Sequence, residues 1–140
     1  MVVLPGRVAA VVVRLPDGSA VAVSIVIPCL NEGDAICTLL QSLQPLRSSN
    51  CEIVLVDGGS SDNSIEDMAY LVDHCLVTTA GRAQQMNYGA RHSSGEVLWF
   101  LHADSGLSAS SLLQIKSDMQ SCRVGWGRLR VRLSSHAWQF

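Results

Sequence analysis

Three short apolar runs limit what this chain can fold into: Val21–Ile27 (VAVSIVI), Glu52–Val56 (EIVLV) and Val97–Leu101 (VLWFL). A strand with one wet face alternates apolar and polar residues; a strand covered on both faces does not. These runs read as buried parallel strands, and His74–Thr79 (HCLVTT) as a weaker one. Between them the period changes. Ile36, Leu39, Leu40 and Leu43 stand at i, i+3, i+4 and i+7, one helical face. Ile65, Met68, Ala69 and Val72 form a second face, and a third, polar-faced helix is predicted over about Arg82–Arg91. Alternation of strand and helix argues βαβ units, right-handed crossovers and a mostly parallel α/β sheet. With polar motifs at the strand ends, the parallel part is expected in the order 3-2-1-4.

Punctuation sets the boundaries. Asp34 opens the first helix, where the macrodipole favours a carboxylate, and Pro45 marks its exit. Ser61 or Asp62 is a good cap for the second helix. Ser108 or Ser110 starts a further helix with Leu112, Ile115 and Met119 inward, and Trp126–Leu133 (WGRLRVRL) alternates as a half-solvated strand. Residues 1–20 read as an extra hairpin around Leu15–Ser19 or as a poorly ordered leader, and residues 21–140 as one domain.

The bulk numbers exclude several function classes. A chain of 140 residues is one domain or part of one, and 48% apolar residues with 16% charged ones describe a globular core. A net charge of −2 offers no nucleic-acid surface. Five cysteines without a C-x-x-C pair indicate neither a zinc site nor a disulfide framework, and read as buried reduced thiols of a cytoplasmic protein. No apolar run approaches the roughly 20 residues of a membrane helix. Peripheral contact with the inner face of the membrane stays open.

Ligands of an open α/β sheet bind outside the carboxyl ends of its strands. Three such ends carry polar groups: Asn31 with Glu32, then Asp57, then His102 with Asp104. The first strand does not open into G-x-G-x-x-G, and neither a Walker lysine motif nor a G-x-S-x-G elbow is found. Asp57 is followed by Gly58-Gly59, so little bulk blocks a ligand there. Its carboxylate can accept a ring N–H from uracil or guanine; the plainer reading is a turn before a capped helix. Asp104 can ligate Mg²⁺ or Mn²⁺ carrying a diphosphate, or simply cap the next helix.

The ordered pattern Val23–Pro28 with Asn31-Glu32, Val54–Ser60 with Asp62, Gly81-Arg82 with Asn87-x-Gly89-Ala90, Gly95-Glu96, and Phe100–Asp104 resembles family 2 glycosyltransferases of the Rossmann-like GT-A fold. The wording GRxxQMNxGA and LHAD is similar to one bacterial-type subgroup. The resemblance implies a nucleotide-diphospho-sugar donor, transfer with inversion, and Mn²⁺ or Mg²⁺ as cofactor. It implies Pro28, Asn31 and Glu32 along the nucleoside, Asp57 at the base, Arg82 near the nucleotide, and Asp104 on the metal. The acceptor, a saccharide, lipid or small molecule, is not implied.

Two departures stand out. His102 occupies the place of the first Asp of D-x-D, as a further metal ligand or as a structural histidine. Met86 replaces an Arg common before the Asn, which leaves Arg82 as the cation. After Asp104 the sole acidic residue is Asp118, so no catalytic base is identifiable; it is expected beyond Phe140, in a domain truncated to its donor-binding part. Such a part would transfer sugar poorly. The alternative reading is a non-catalytic nucleotide or nucleotide-sugar binding module.

Overall fold

The structure, a computed structural model, describes residues 10–13, 22–47, 50–62, 65–103, 105 and 126–128. Its strands are β1 (Ala10–Val13), β2 (Val23–Cys29), β3 (Cys51–Asp57), β4 (His74–Val77), β5 (Val97–Phe100) and β6 (Trp126–Arg128). Two α-helices, α1 (Gly33–Arg47) and α2 (Arg82–Arg91), and a 3-10 helix (Glu66–Leu71) lie between them. The sheet order is β4-β3-β2-β5-β1-β6. The four strands β4, β3, β2 and β5 run parallel, in the expected 3-2-1-4 order. β1 pairs antiparallel with both β5 and β6, so part of the first 20 residues is built into the sheet.

The sheet is covered on both faces, which is why its central strands do not alternate. Ile25 and Ile27 of β2 and Ile53 and Leu55 of β3 pack with Ile36, Leu39, Leu40 and Leu43 of α1. On the other face Val26, Val54, Val56 and Phe100 pack with Met86 of α2. Leu40 and Leu43 are completely buried, and side chains of that size contribute about 1.5–3 kcal/mol each. α2 lies close to the sheet because Gly89 has no side chain. A Cβ there would come within 2.5 Å of Val26 Cγ1 and 2.8 Å of Val56 Cγ2.

Pro28 sits in a central strand without breaking it. Val26 O accepts from Leu101 N, and Cys29 O accepts from Gly58 N, so alternate residues of β2 face β5 and β3. Pro28 faces the β5 side, past Val26↔Phe100, the last pair of that ladder. Its missing N–H is not needed there.

Several boundaries differ from the sequence expectation: β2 starts at Val23 and runs through Pro28 to Cys29, β3 gains Cys51 and Asp57, and β5 stops at Phe100. α1 does not stop at Pro45 but runs to Arg47. Pro45 falls in the last turn, where the Gln44 carboxamide adds bonds to Leu40 O (2.8 Å) and Leu71 O (2.9 Å) and ties that turn to the 3-10 helix. The second helix is not an α-helix capped by Ser61 or Asp62; it is a six-residue 3-10 helix that starts at Glu66. Ser60 and Ser61 give their polar groups to Asp57 and Asn31 instead. The 3-10 repeat turns Met68 and Leu71 inward and leaves Ala69 exposed. β4 ends at Val77 rather than Thr79. The expected helix from Ser108 or Ser110, Asp118, and the strand beyond Arg128 lie outside the described residues.

Candidate functional site at the carboxyl edge of the sheet

β2, β3 and β5 are parallel, so Cys29, Asp57 and the segment after Phe100 emerge at one edge. The loops that leave β2 and β3 are bonded to each other. Asn31 takes a left-handed backbone with φ 53°. Its N–H donates to Ser60 Oγ at 2.9 Å. Its Oδ1 accepts from Ser61 N at 2.9 Å and from Ser61 Oγ at 3.3 Å. The two loops therefore form one surface.

Asp57 builds the second of these loops. Its carboxylate is buried and accepts from Gly59 N (3.1 Å), Ser60 N (3.0 Å) and Ser60 Oγ (2.5 Å). Gly59 adopts φ 90°, which a side chain would strain. The Cys29 thiol also points at Asp57 Oδ1, 3.9 Å away. Burial, and then the negative charges of Asp57 and Glu32, push that thiol up to about 12, so it is protonated and inert. Cys29 and Cys51 are buried thiols, as expected, whereas Cys75 is exposed on the edge strand β4.

Glu32 accepts the first helical bond of α1, from Ile36 N at 2.9 Å, and is half-buried. Together with Asn31 it lines an open cleft of about 820 Å³ that also holds Asp34, Asp62, Asp67 and Tyr70. Asp57 is not part of that lining. Four carboxylates there repel a bare diphosphate, so this cleft suits an uncharged part of a ligand or one carrying a cation. Arg82 is exposed in the first turn of α2, at the same edge but on the opposite face of the sheet. Met86 is buried in the apolar cluster beneath α2, so Arg82 is the cation this helix offers near its start.

His102 is buried just after β5, and its carbonyl accepts from Ser105 N at 3.0 Å. Asp104, the proposed metal ligand, lies outside the described residues. Among the described residues no group of three His, Cys, Asp or Glu side chains could hold a metal ion. His102 alone does not make a site for Mn²⁺ or Mg²⁺.

One residue of this edge escaped the sequence reading. Gln85 of α2 is buried and its Nε2 donates to Cys29 O (2.7 Å) and Val56 O (2.9 Å). Its sequence signals are its place as the Gln of the GRxxQMNxGA wording, to which the resemblance attaches no role, and the spacing to Gly89, one turn later on the same face, where a missing side chain marks close approach to the sheet.

In an open α/β sheet ligands bind outside the carboxyl ends of the parallel strands, which is where these joined polar loops lie. The pattern of the family described as glycosyl transferase family 2 matches residues 24–122, and this chain belongs to that family. An uncharacterized glycosyltransferase of Haemophilus influenzae is 34% identical over 84 residues, 58% of this chain and 29% of its own length. The mannosyltransferase of Pyrobaculum calidifontis, solved with GDP-Man and Mn²⁺, superposes with a TM-score of 0.59 at 22% identity. That match covers 74% of this chain and 34% of that one. Glucosyl-3-phosphoglycerate synthase of Mycobacterium tuberculosis, solved with Mn²⁺, UDP and glucosyl-3-phosphoglycerate, superposes at 0.54 with 20% identity over 59% of this chain and 33% of that one. At these identities the likeness to solved structures is one of fold. The chain thus spans about a third of the length of each of these proteins. No described helix is long and apolar enough to cross a membrane.

Proposed function

We propose that this chain is the donor-binding part of an inverting glycosyltransferase that takes a nucleotide-diphospho-sugar. The observation that carries the reading is the joining of the β2 and β3 loops through Asn31, Ser60, Ser61 and Asp57 at the carboxyl edge. In this reading Pro28, Asn31 and Glu32 flank the nucleoside and Arg82 offsets phosphate charge. Asp57 meets the base N–H after the Ser60 hydroxyl, which rotates freely, gives up its place on Oδ1. Asp104, with His102 two residues before it, would hold a Mn²⁺ or Mg²⁺ on the bound diphosphate, and a cation there would supply charge compensation for the departing nucleotide. In an inverting transfer the acceptor hydroxyl attacks the anomeric carbon from the side opposite the leaving diphosphate. The acceptor and the general base are supplied outside these residues. A cytoplasmic location, with contact to the inner face of the membrane where the acceptor is a lipid, belongs to the same reading and fits the reduced cysteines.

The test is titration calorimetry with UDP and with GDP, each with and without Mn²⁺, on the native chain and on Asp104→Asn. The native chain is expected to bind one of the two more tightly with metal, and Asp104→Asn to lose the metal-dependent part. Metal-dependent affinity that survives in Asp104→Asn removes the role given to that carboxylate.

A further inference from the structure

We propose that Gln85 is a positioning residue that fixes the floor of the nucleotide surface by clamping the carboxyl ends of β2 and β3 together; its bearing on ligand rests on the function proposed above. Three observations converge. The Gln85 carboxamide is 3% exposed and spends both Nε2 hydrogens on carbonyls of different strands, Cys29 O at 2.7 Å and Val56 O at 2.9 Å. Those carbonyls immediately precede the working loops: Cys29 comes two residues before Asn31, and Val56 directly before Asp57. Cys29 O also accepts from Gly58 N at 3.0 Å, so one oxygen ties β2, the β3 loop and α2 together.

The third observation is steric. A Cβ on Gly58 would stand 3.1 Å from Gln85 Nε2, 3.2 Å from Cδ and 3.3 Å from Oε1. Gly58 does not need glycine for its backbone angle, since it is not among the positive-φ glycines. Its missing side chain makes room for the carboxamide. Two parallel strands splay where their ladder ends, and a helix-borne donor pair that bridges the last carbonyls opposes that splay. The same turn of α2 carries Arg82, so the clamp also sets the height of that guanidinium above the edge.

Gln85→Met keeps the length and apolar stem but removes both donors. Gly58→Ala reaches the same contact from the other side and keeps both donors. Two readouts are taken on each: amide hydrogen exchange by residue, and affinity for UDP and GDP with Mn²⁺. Expected in both variants is exchange faster by about tenfold or more at Gly58, Gly59 and Ser60, with the amides of Ile25 and Ile53 unchanged. The dissociation constant for the nucleotide that the native chain binds is expected to rise by about tenfold. A merely structural glutamine would instead lower protection evenly along β2 and β3 and leave nucleotide affinity intact well below melting; either result overturns the proposal. Should Gln85→Met fail to fold, Gly58→Ala decides by the same two readouts. Local loss of protection in a chain that binds neither nucleotide would uphold the clamp and overturn the donor reading.

Discussion

The two ends of the parallel sheet are held by different chemistry. At the carboxyl edge a neutral carboxamide, Gln85, bridges two carbonyls, and Asp57 spends its charge on its own loop. At the amino edge a single carboxylate gathers three segments. Glu52 accepts from Ser24 Oγ, from Ser94 N (2.6 Å) and Oγ (2.8 Å), and from Gly95 N (3.3 Å), with His74 Nε2 at 3.6 Å. Ser24 and Glu52 are register partners in the sheet, and Ser94-Gly95 is the turn from α2 into β5. Gly95 approaches Ser24 so closely that a side chain there would collide with it. The amino edge is thus a staple that closes on itself, whereas the carboxyl edge leaves loops whose polar groups can exchange partners. A sheet locked at one end can carry adaptable loops at the other.

The largest effect is expected from Glu52→Ala. It strips the acceptor from Ser94 N–H and from the Ser24 and Ser94 hydroxyls, while Gly95 N–H keeps Ser24 Oγ at 2.8 Å, and should lower stability by about 2 kcal/mol, since water reaches the exposed Ser94 groups. Denaturant unfolding measures it, and the nucleotide affinity of the folded fraction should not change. The same carboxylate sets an acid response. Burial alone would raise the Glu52 carboxyl, but the bonds from Ser24, Ser94 and Gly95 outweigh it and hold it below its ordinary 4.5. Asp73 is likewise held below 3.8: burial opposes, but Arg47 and the Ile53 N–H prevail. A carboxyl lowered on folding gives stability that is complete above its unfolded value and is lost as pH falls through the folded value. Stability should therefore fall below about pH 4.5, and Glu52→Gln should flatten the upper part of that fall while leaving the part due to Asp73.

Gly89→Ala should cost about 1–2 kcal/mol. The clash with Val26 and Val56 outweighs the gain in helix propensity, which is about 1 kcal/mol. Because α2 reaches both edges, this change should loosen Gln85 and Ser94 together, and thermal melting with residue-level exchange would show whether the two edges move as one. Ser60→Ala should cost about 1 kcal/mol or less, through loss of its bonds to Asp57 and Asn31. Its effect should stay at the carboxyl edge, with the amides of Ser94 and Gly95 as protected as before.

The sequence announced the framework because burial on both faces forces unbroken apolar runs such as Ile25–Ile27 and Ile53–Val56, and few other structures use them. It announced the strand ends for the same reason, since Asn31, Asp57 and His102 are where those runs stop. It hid the clamp because Gln85 in a polar helix reads as a wet residue; only the strand carbonyls beneath it, 29 and 56 positions away, make it a buried donor. It hid the 3-10 helix because a serine before an apolar period signals a cap, while here Ser61 bonds to Asn31, 30 residues earlier. Pro45 misled for a local reason: a proline in the last turn removes one bond without ending the helix. Each miss is a contact between residues far apart in the chain, or a tolerance that propensity does not record.

Which edge takes the ligand is the decisive question for this protein. Backbone amide shifts of the isotope-labelled chain, followed through a titration with UDP and with GDP in the presence of Mg²⁺, measure this directly. The account predicts that one nucleotide shifts the amides of Asn31, Glu32, Gly58, Ser60 and Arg82 and leaves those of Glu52, Ser94 and Gly95 still. Shifts centred on the Glu52 staple, or none with either nucleotide at millimolar concentration, would contradict it.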